Sequence, residues 1–120
     1  MKCEIHLVQI YTLPANAYIL AEGMVGQGPA RFGAELARAA QNYLDGKVEE
    51  LRAGGLDRVI ATAIEGDPAS ELIDIEIKTP HSLIVMSSHG RSGVGRWLLG
   101  SVAEKVIQYA WGPVLLIRAR

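Results

Sequence analysis

Several things are scarce in this sequence, and each scarcity excludes something. With one cysteine, Cys3, in 120 residues, the chain has no internal disulfide, and the composition fits a reducing cytoplasm. Charge of one sign is not in excess, because 12 Lys and Arg stand against 13 Asp and Glu for a net −1. A chain so balanced projects no field to gather nucleic acid, and its signs alternate rather than forming a basic stripe. No apolar run approaches the ~20 residues of a membrane span. Met1-Lys2-Cys3-Glu4 leads directly into a strand-like pattern rather than a signal peptide. His6 and His81 lie far apart, and neither they nor Cys3 show metal-ligand spacing. We therefore expect a soluble cytoplasmic protein with no nucleic-acid, membrane or zinc function.

What is present is a core. Hydrophobic residues make up 49% of the chain, and a chain of this size reads as one domain able to bury roughly two thirds of its unfolded surface. Glu4 to Tyr11 is too apolar for a strand with one wet face and reads as buried on both sides. From Thr12 to Phe32 no period survives Pro14, Gly23, Gly26, Gly28 and Pro29, which predicts a long loop, with one helical turn allowed over Tyr18 to Met24. Between Gly33 and Ala53 the residues Leu36, Ala40, Leu44, Val48 and Leu51 recur at helical spacing, and Gly54-Gly55 supplies a left-handed C-terminal cap.

Arg58 to Ile64 is a second strand. Asp67-Pro68 then opens a segment that alternates like a strand at Ile73, Ile75 and Ile77 but also fits a helix ended by Pro80. The cap at Asp67-Pro68 and the need to connect two buried parallel strands favour the helix. Ser82 to Ser87 is the clearest buried strand. A helix follows Ser101 with Val102, Ala103, Val106, Ile107 and Ala110 on one face, Gly112-Pro113 stops it, and Val114 to Ile117 is the last strand. Strands alternating with helices predict an α/β fold with an open parallel sheet, right-handed crossovers and helices on both faces.

Chemistry concentrates in the glycine-rich segment from Ser88 to Ser101. In open α/β sheets ligands sit beyond the carboxyl ends of the strands, where this segment lies. Its glycines admit close backbone approach, the helix at Ser101 offers unpaired amides to an anion, and Arg91 and Arg96 can add charge-assisted contacts. Ser101 and Glu104 have the spacing of a capping box. Gly95 to Ser101 imitates a P-loop but lacks its lysine, and Leu98 stands where a dinucleotide fingerprint needs a third glycine. No nucleophile elbow is present. His89 contacts either phosphate or the local backbone.

The run from Leu83 to Val106, with Gly112-Pro113-Val114 to Ile117, closely resembles the universal stress protein family. Its ATP-binding branch carries Gly-x-x-Gly, nine residues, then Gly-Ser or Gly-Thr. Here Ser87 stands at the first glycine, followed by Gly90, the nine residues Arg91 to Leu99, and Gly100-Ser101. Further similarity at Glu4 to Tyr11 and Gly66 to Pro68 extends the resemblance over nearly the whole chain.

The resemblance implies a flavodoxin-like, Rossmann-like sheet, N-terminally shortened. The family's first strand-helix unit, whose strand is central in the order 3-2-1-4-5 and ends in an Asp that contacts adenine, has no counterpart here. It implies a nucleotide site formed by Ile10, Met86, Ser87, His89, Gly90, Arg91, Gly100, Ser101 and Val102. Phosphates would lie over Gly90, Arg91, Gly100, Ser101 and Val102, with Met86 near ribose or adenine, Ile10 near the base, and Mg²⁺ accompanying ATP. It further implies a homodimer through Val114 to Ile117 and an unknown protein partner. Two functions follow: a regulator that binds ATP or a related adenine nucleotide, or a dimeric interaction module of the same fold without nucleotide. No evident base supports more than slow ATP hydrolysis.

Overall fold

The computed structural model describes residues 3–13, 28–88 and 99–118. The chain divides into two compact units, Met1–Asp67 and Pro68–Arg120, taken here in turn.

The first unit is a strand, a helix and a strand: β1 (Ile5–Tyr11), α1 (Gly28–Ala53) and β2 (Val59–Glu65). The strands pair in parallel, from Ile5 against Val59 to Tyr11 against Glu65. Ala40, Leu44 and Val48, one every fourth residue, are the buried stripe of α1, which packs on both strands over the buried Val59. Ordinary helix chemistry sets the C-terminal end of α1. Gly55, at φ +100°, donates its amide to Arg52 O at 3.0 Å, and Leu56 donates to Leu51 O at 3.1 Å. Those two bonds make a Schellman cap, as the Gly54-Gly55 pair predicts. The Arg52 guanidinium donates to Val59 O at 3.2 Å, holding the helix end to the strand that follows.

Two expectations change in this unit. The helix starts at Gly28 rather than Gly33, so 28–32 are helical rather than loop. Pro29 falls in the first turn, where a missing amide costs nothing. The rest of the predicted loop over residues 14–27, with its candidate turn, lies outside the described residues. Nor is β1 buried on both sides: its residues are half-buried, and His6 is exposed. His6 Nε2 and Thr62 Oγ1 share a hydrogen bond of 2.8 Å across the pair, a polar contact on the face away from Val59.

The second unit is α2 (Pro68–Lys78), β3 (Ile84–Ser87), α3 (Ser101–Tyr109) and β4 (Val114–Ile117). The ambiguous isoleucine segment is helical, with Pro68 as its first residue. At its end Thr79 Oγ1 donates to Ile75 O at 2.7 Å, and His81, at φ +62°, turns the chain toward β3. Strands β3 and β4 pair in parallel, Ile84 with Val114 through Ser87 with Ile117. Helices α2 and α3 pack together through small and β-branched residues, with Ala69, Ala103 and Val106 buried.

β3 is not fully buried as expected, and β4 beside it is covered in the same one-sided way. Ile84, Met86, Val114 and Leu116 are half-buried, while Val85, Leu115 and Ile117 on the other face are 55, 50 and 55% exposed. Apolar composition alone cannot tell a strand covered twice from one covered once.

Charges lie on the outer helix surfaces, as in Lys47–Glu50 at 3.2 Å and Lys78–Asp74 at 2.8 Å. The hydrogen bond that Lys78 donates to Asp74, then the charge of Asp74, raises the pKa of Lys78, and Glu50 does the same for Lys47. Both pairs lie at the surface, where water screens them.

Two glycines predict opposite effects. Gly46 lies inside α1 with nothing within 4 Å of an added Cβ, so Gly46→Ala should stabilise the protein by about 0.5–1 kcal/mol. Gly55 needs its left-handed conformation, so Gly55→Ala should destabilise it by about 1–2 kcal/mol. Urea unfolding measures both.

Candidate functional site

Three chain ends meet at Ser88. Its amide donates to Ile117 O at 2.9 Å, extending the β3–β4 ladder by one step, and its carbonyl accepts the Gly100 amide at 2.7 Å. The carboxyl end of β3, the carboxyl end of β4 and the start of α3 are thereby tied to one buried residue. This is the position at which parallel α/β proteins receive ligands.

The helix start there differs from the expectation. Gly100, not Ser101, is the N-cap, at φ −62° and ψ 155°, and no side chain makes a cap hydrogen bond. The Ser101–Glu104 capping box therefore does not form. The reason is the Ser88–Gly100 bond, which makes Gly100 the last extended residue and Ser101 the first helical one. Glu104 donates its amide to Gly100 O at 3.0 Å, so the amides of Ser101, Val102 and Ala103 are those a helix leaves without an intrahelical acceptor. Free amides at a helix start carry a partial positive charge and are suited to an anion.

Of the residues expected to bind nucleotide, Ser87, Gly100, Ser101 and Val102 gather around this junction. Met86 is half-buried on the covered face of β3, and Ser87 is exposed at the strand's end. Ile10 belongs to the first unit, half-buried on β1 opposite Ile64. His89, Gly90 and Arg91 lie outside the described residues, as does Arg96. Among the described residues no group of three or more His, Cys, Asp or Glu could hold a metal ion, and no helix is long and apolar enough to cross a membrane.

Sequence reasoning missed Glu76. This buried carboxylate on α2 accepts the Trp111 amide at Oε2, 3.1 Å away, and the Gly112 amide at Oε1. Both amides lie just before β4, at the opposite end of the strand pair from Ser88. The available signal was a glutamate among the apolar residues of α2, between Ile75 and Ile77. Beside it opens a cleft of about 520 Å³ whose wall includes Pro80, His81 and Trp111.

Parallel strand pairs, helical crossovers and a helix that starts at the strands' carboxyl ends define an α/β protein. A family model described as the universal stress protein family matches residues 1–118, and the chain belongs to that family. Universal stress protein MJ0531 of Methanocaldococcus jannaschii is 31% identical over 109 residues, covering 91% of this chain and 62% of that protein. A universal stress protein of Thermus aquaticus is 33% identical over 91 residues, covering 76% and 66%. The chain thus spans less than two thirds of the length of these relatives. The solved structure of MJ0577 superposes with a TM-score of 0.80 at 26% identity, covering 98% of this chain and 76% of that one. The structure of PH0823 gives 0.68 at 23% identity and supports the fold alone.

The cap assignment is testable. Because the Ser101 side chain makes no cap bond, Ser101→Ala should cost less than about 0.5 kcal/mol in urea unfolding, whereas loss of a true N-cap costs about 1 kcal/mol.

Proposed function

We propose that the chain is a universal-stress-type regulator that binds ATP or a related adenine nucleotide at the start of α3. The observation that carries this reading is the uncapped first turn of α3, held beside the end of β3 by the Gly100–Ser88 bond of 2.7 Å. Phosphate oxygens suit amides arranged in this way. Family resemblance adds Gly90 and Arg91 to the phosphate contacts, with His89 beside them, and brings Met86 toward ribose or adenine. Mg²⁺ would arrive on the phosphates rather than on a carboxylate cage. No general base is evident in the sequence, which favours a regulatory role over that of a fast catalyst.

We further propose a cytoplasmic homodimer joined through β4. Among the described strands β4 pairs only with β3, and its Leu115 and Ile117 are open to solvent. An apolar edge of this kind favours pairing with another copy. The second reading, a dimeric interaction module without nucleotide, is favoured by Ser87 in place of the family's glycine.

Equilibrium dialysis with labelled ATP tests the binding. The wild type should retain nucleotide below millimolar concentration, and Gly100→Glu should abolish retention. The backbone of Gly100 is an ordinary extended one that any residue can adopt, and the introduced carboxylate should compete for the amides. No retention by the wild type, or retention unaffected by Gly100→Glu, would sink the reading. A native mass spectrum of freshly purified protein separates the two functions by showing copurified nucleotide or none, and its mass gives the oligomeric state.

A further inference from the structure

The β3–β4 pair presents a problem of register. Each strand is four residues long, and β4 reads Val-Leu-Leu-Ile, apolar at every position. In most sheets the hydrophobic alternation fixes register, because a slip of one residue moves every side chain to the opposite face. A uniformly apolar strand pays little for that slip. Something other than hydrophobicity must select the pairing of Ile84 with Val114.

The buried carboxylate of Glu76 meets this need. It accepts the amides of both Trp111 and Gly112, the two residues before Pro113, and Pro113 O accepts the Ile84 amide at 3.2 Å as the first rung of the ladder. The approach is close: a Cβ added at 112 would lie 2.6 Å from Glu76 Oε1, and the carboxylate would have to give way. From this fixed start the ladder runs only to Ser88 and Ile117, and Ser88 O then receives Gly100. A one-residue slip at Gly112 would give the Ser88 amide a different acceptor and move the start of α3 with it.

We propose that Glu76 sets the register of β3 against β4 and is thereby a positioning residue for the anion site at Ser88, Gly100 and the start of α3. The register role stands on the hydrogen bonds alone, while its consequence for ligand rests on the nucleotide reading above.

Site-resolved hydrogen exchange on the full chain tests it, with wild type, Glu76→Gln and Glu76→Ala compared. Loss of both acceptors in Glu76→Ala should speed exchange of the Ser88 and Gly100 amides on the order of tenfold or more. The Gly66 amide, bonded to Tyr11 O in the first unit at 3.0 Å, should exchange as before. Glu76→Gln, which keeps one acceptor oxygen, should fall between the two, and unchanged exchange at Gly66 separates this from a general loss of stability. It also serves as the test if Glu76→Ala fails to fold. Dialysis of labelled ATP should show weakened retention in the same order. Wild-type protection at Ser88 and Gly100 in folded Glu76→Gln, or acceleration that extends equally to Gly66, overturns the proposal. A wild type that binds no ATP retires the nucleotide reading and leaves the exchange result to decide the register role.

Discussion

Parallel pairing governs the rest of this structure. Two parallel strands cannot be joined by a tight turn, because the chain must travel back the length of the first strand before the second can begin. In the first unit α1 makes that return, and in the second α3 does. The return also sets where ligands can bind. A helix that starts where one strand ends presents its unpaired amides at the carboxyl end of the pair, and in the second unit that end is gathered at Ser88. A helix start with free amides at the carboxyl end of the pair follows from the connection before any particular side chain is considered.

The two units solve the same connection differently. The first relies on length, with seven-residue strands and a helix stripe of Ala40, Leu44 and Val48. The second has four-residue strands and short helices, so single hydrogen bonds carry positional information that larger contact areas carry elsewhere. This is why a carboxylate on α2 and a backbone bond at Gly100 matter so much there. Longer strands would determine their own pairing through many rungs.

Local chemistry was legible in the sequence, and long-range chemistry was not. The order of elements, the Schellman cap at Gly55 and the start of α2 at Pro68 all follow from residues adjacent to the features they create. The early start of α1 was hidden because Pro29 reads as a breaker unless it is known to fall in a first turn. Burial of β1 and β3 was overestimated, since a residue such as Val85 looks the same in sequence whether or not another element covers it. At the candidate site the sequence located the helix start but assigned the cap to the wrong residue. The partner of Gly100 is a carbonyl twelve positions away, at Ser88. Glu76 went unread for the same reason, because its partners Trp111 and Gly112 lie 35 and 36 positions along the chain.

Close approach at Gly112 couples two distant positions. A side chain at 112 would press its Cβ against Glu76 Oε1, so the carboxylate would have to swing aside. The amides of Trp111 and Gly112 would then lose the acceptor they share. The absence of a side chain at 112 thus matters less for the backbone there than for where the glutamate on α2 can rest.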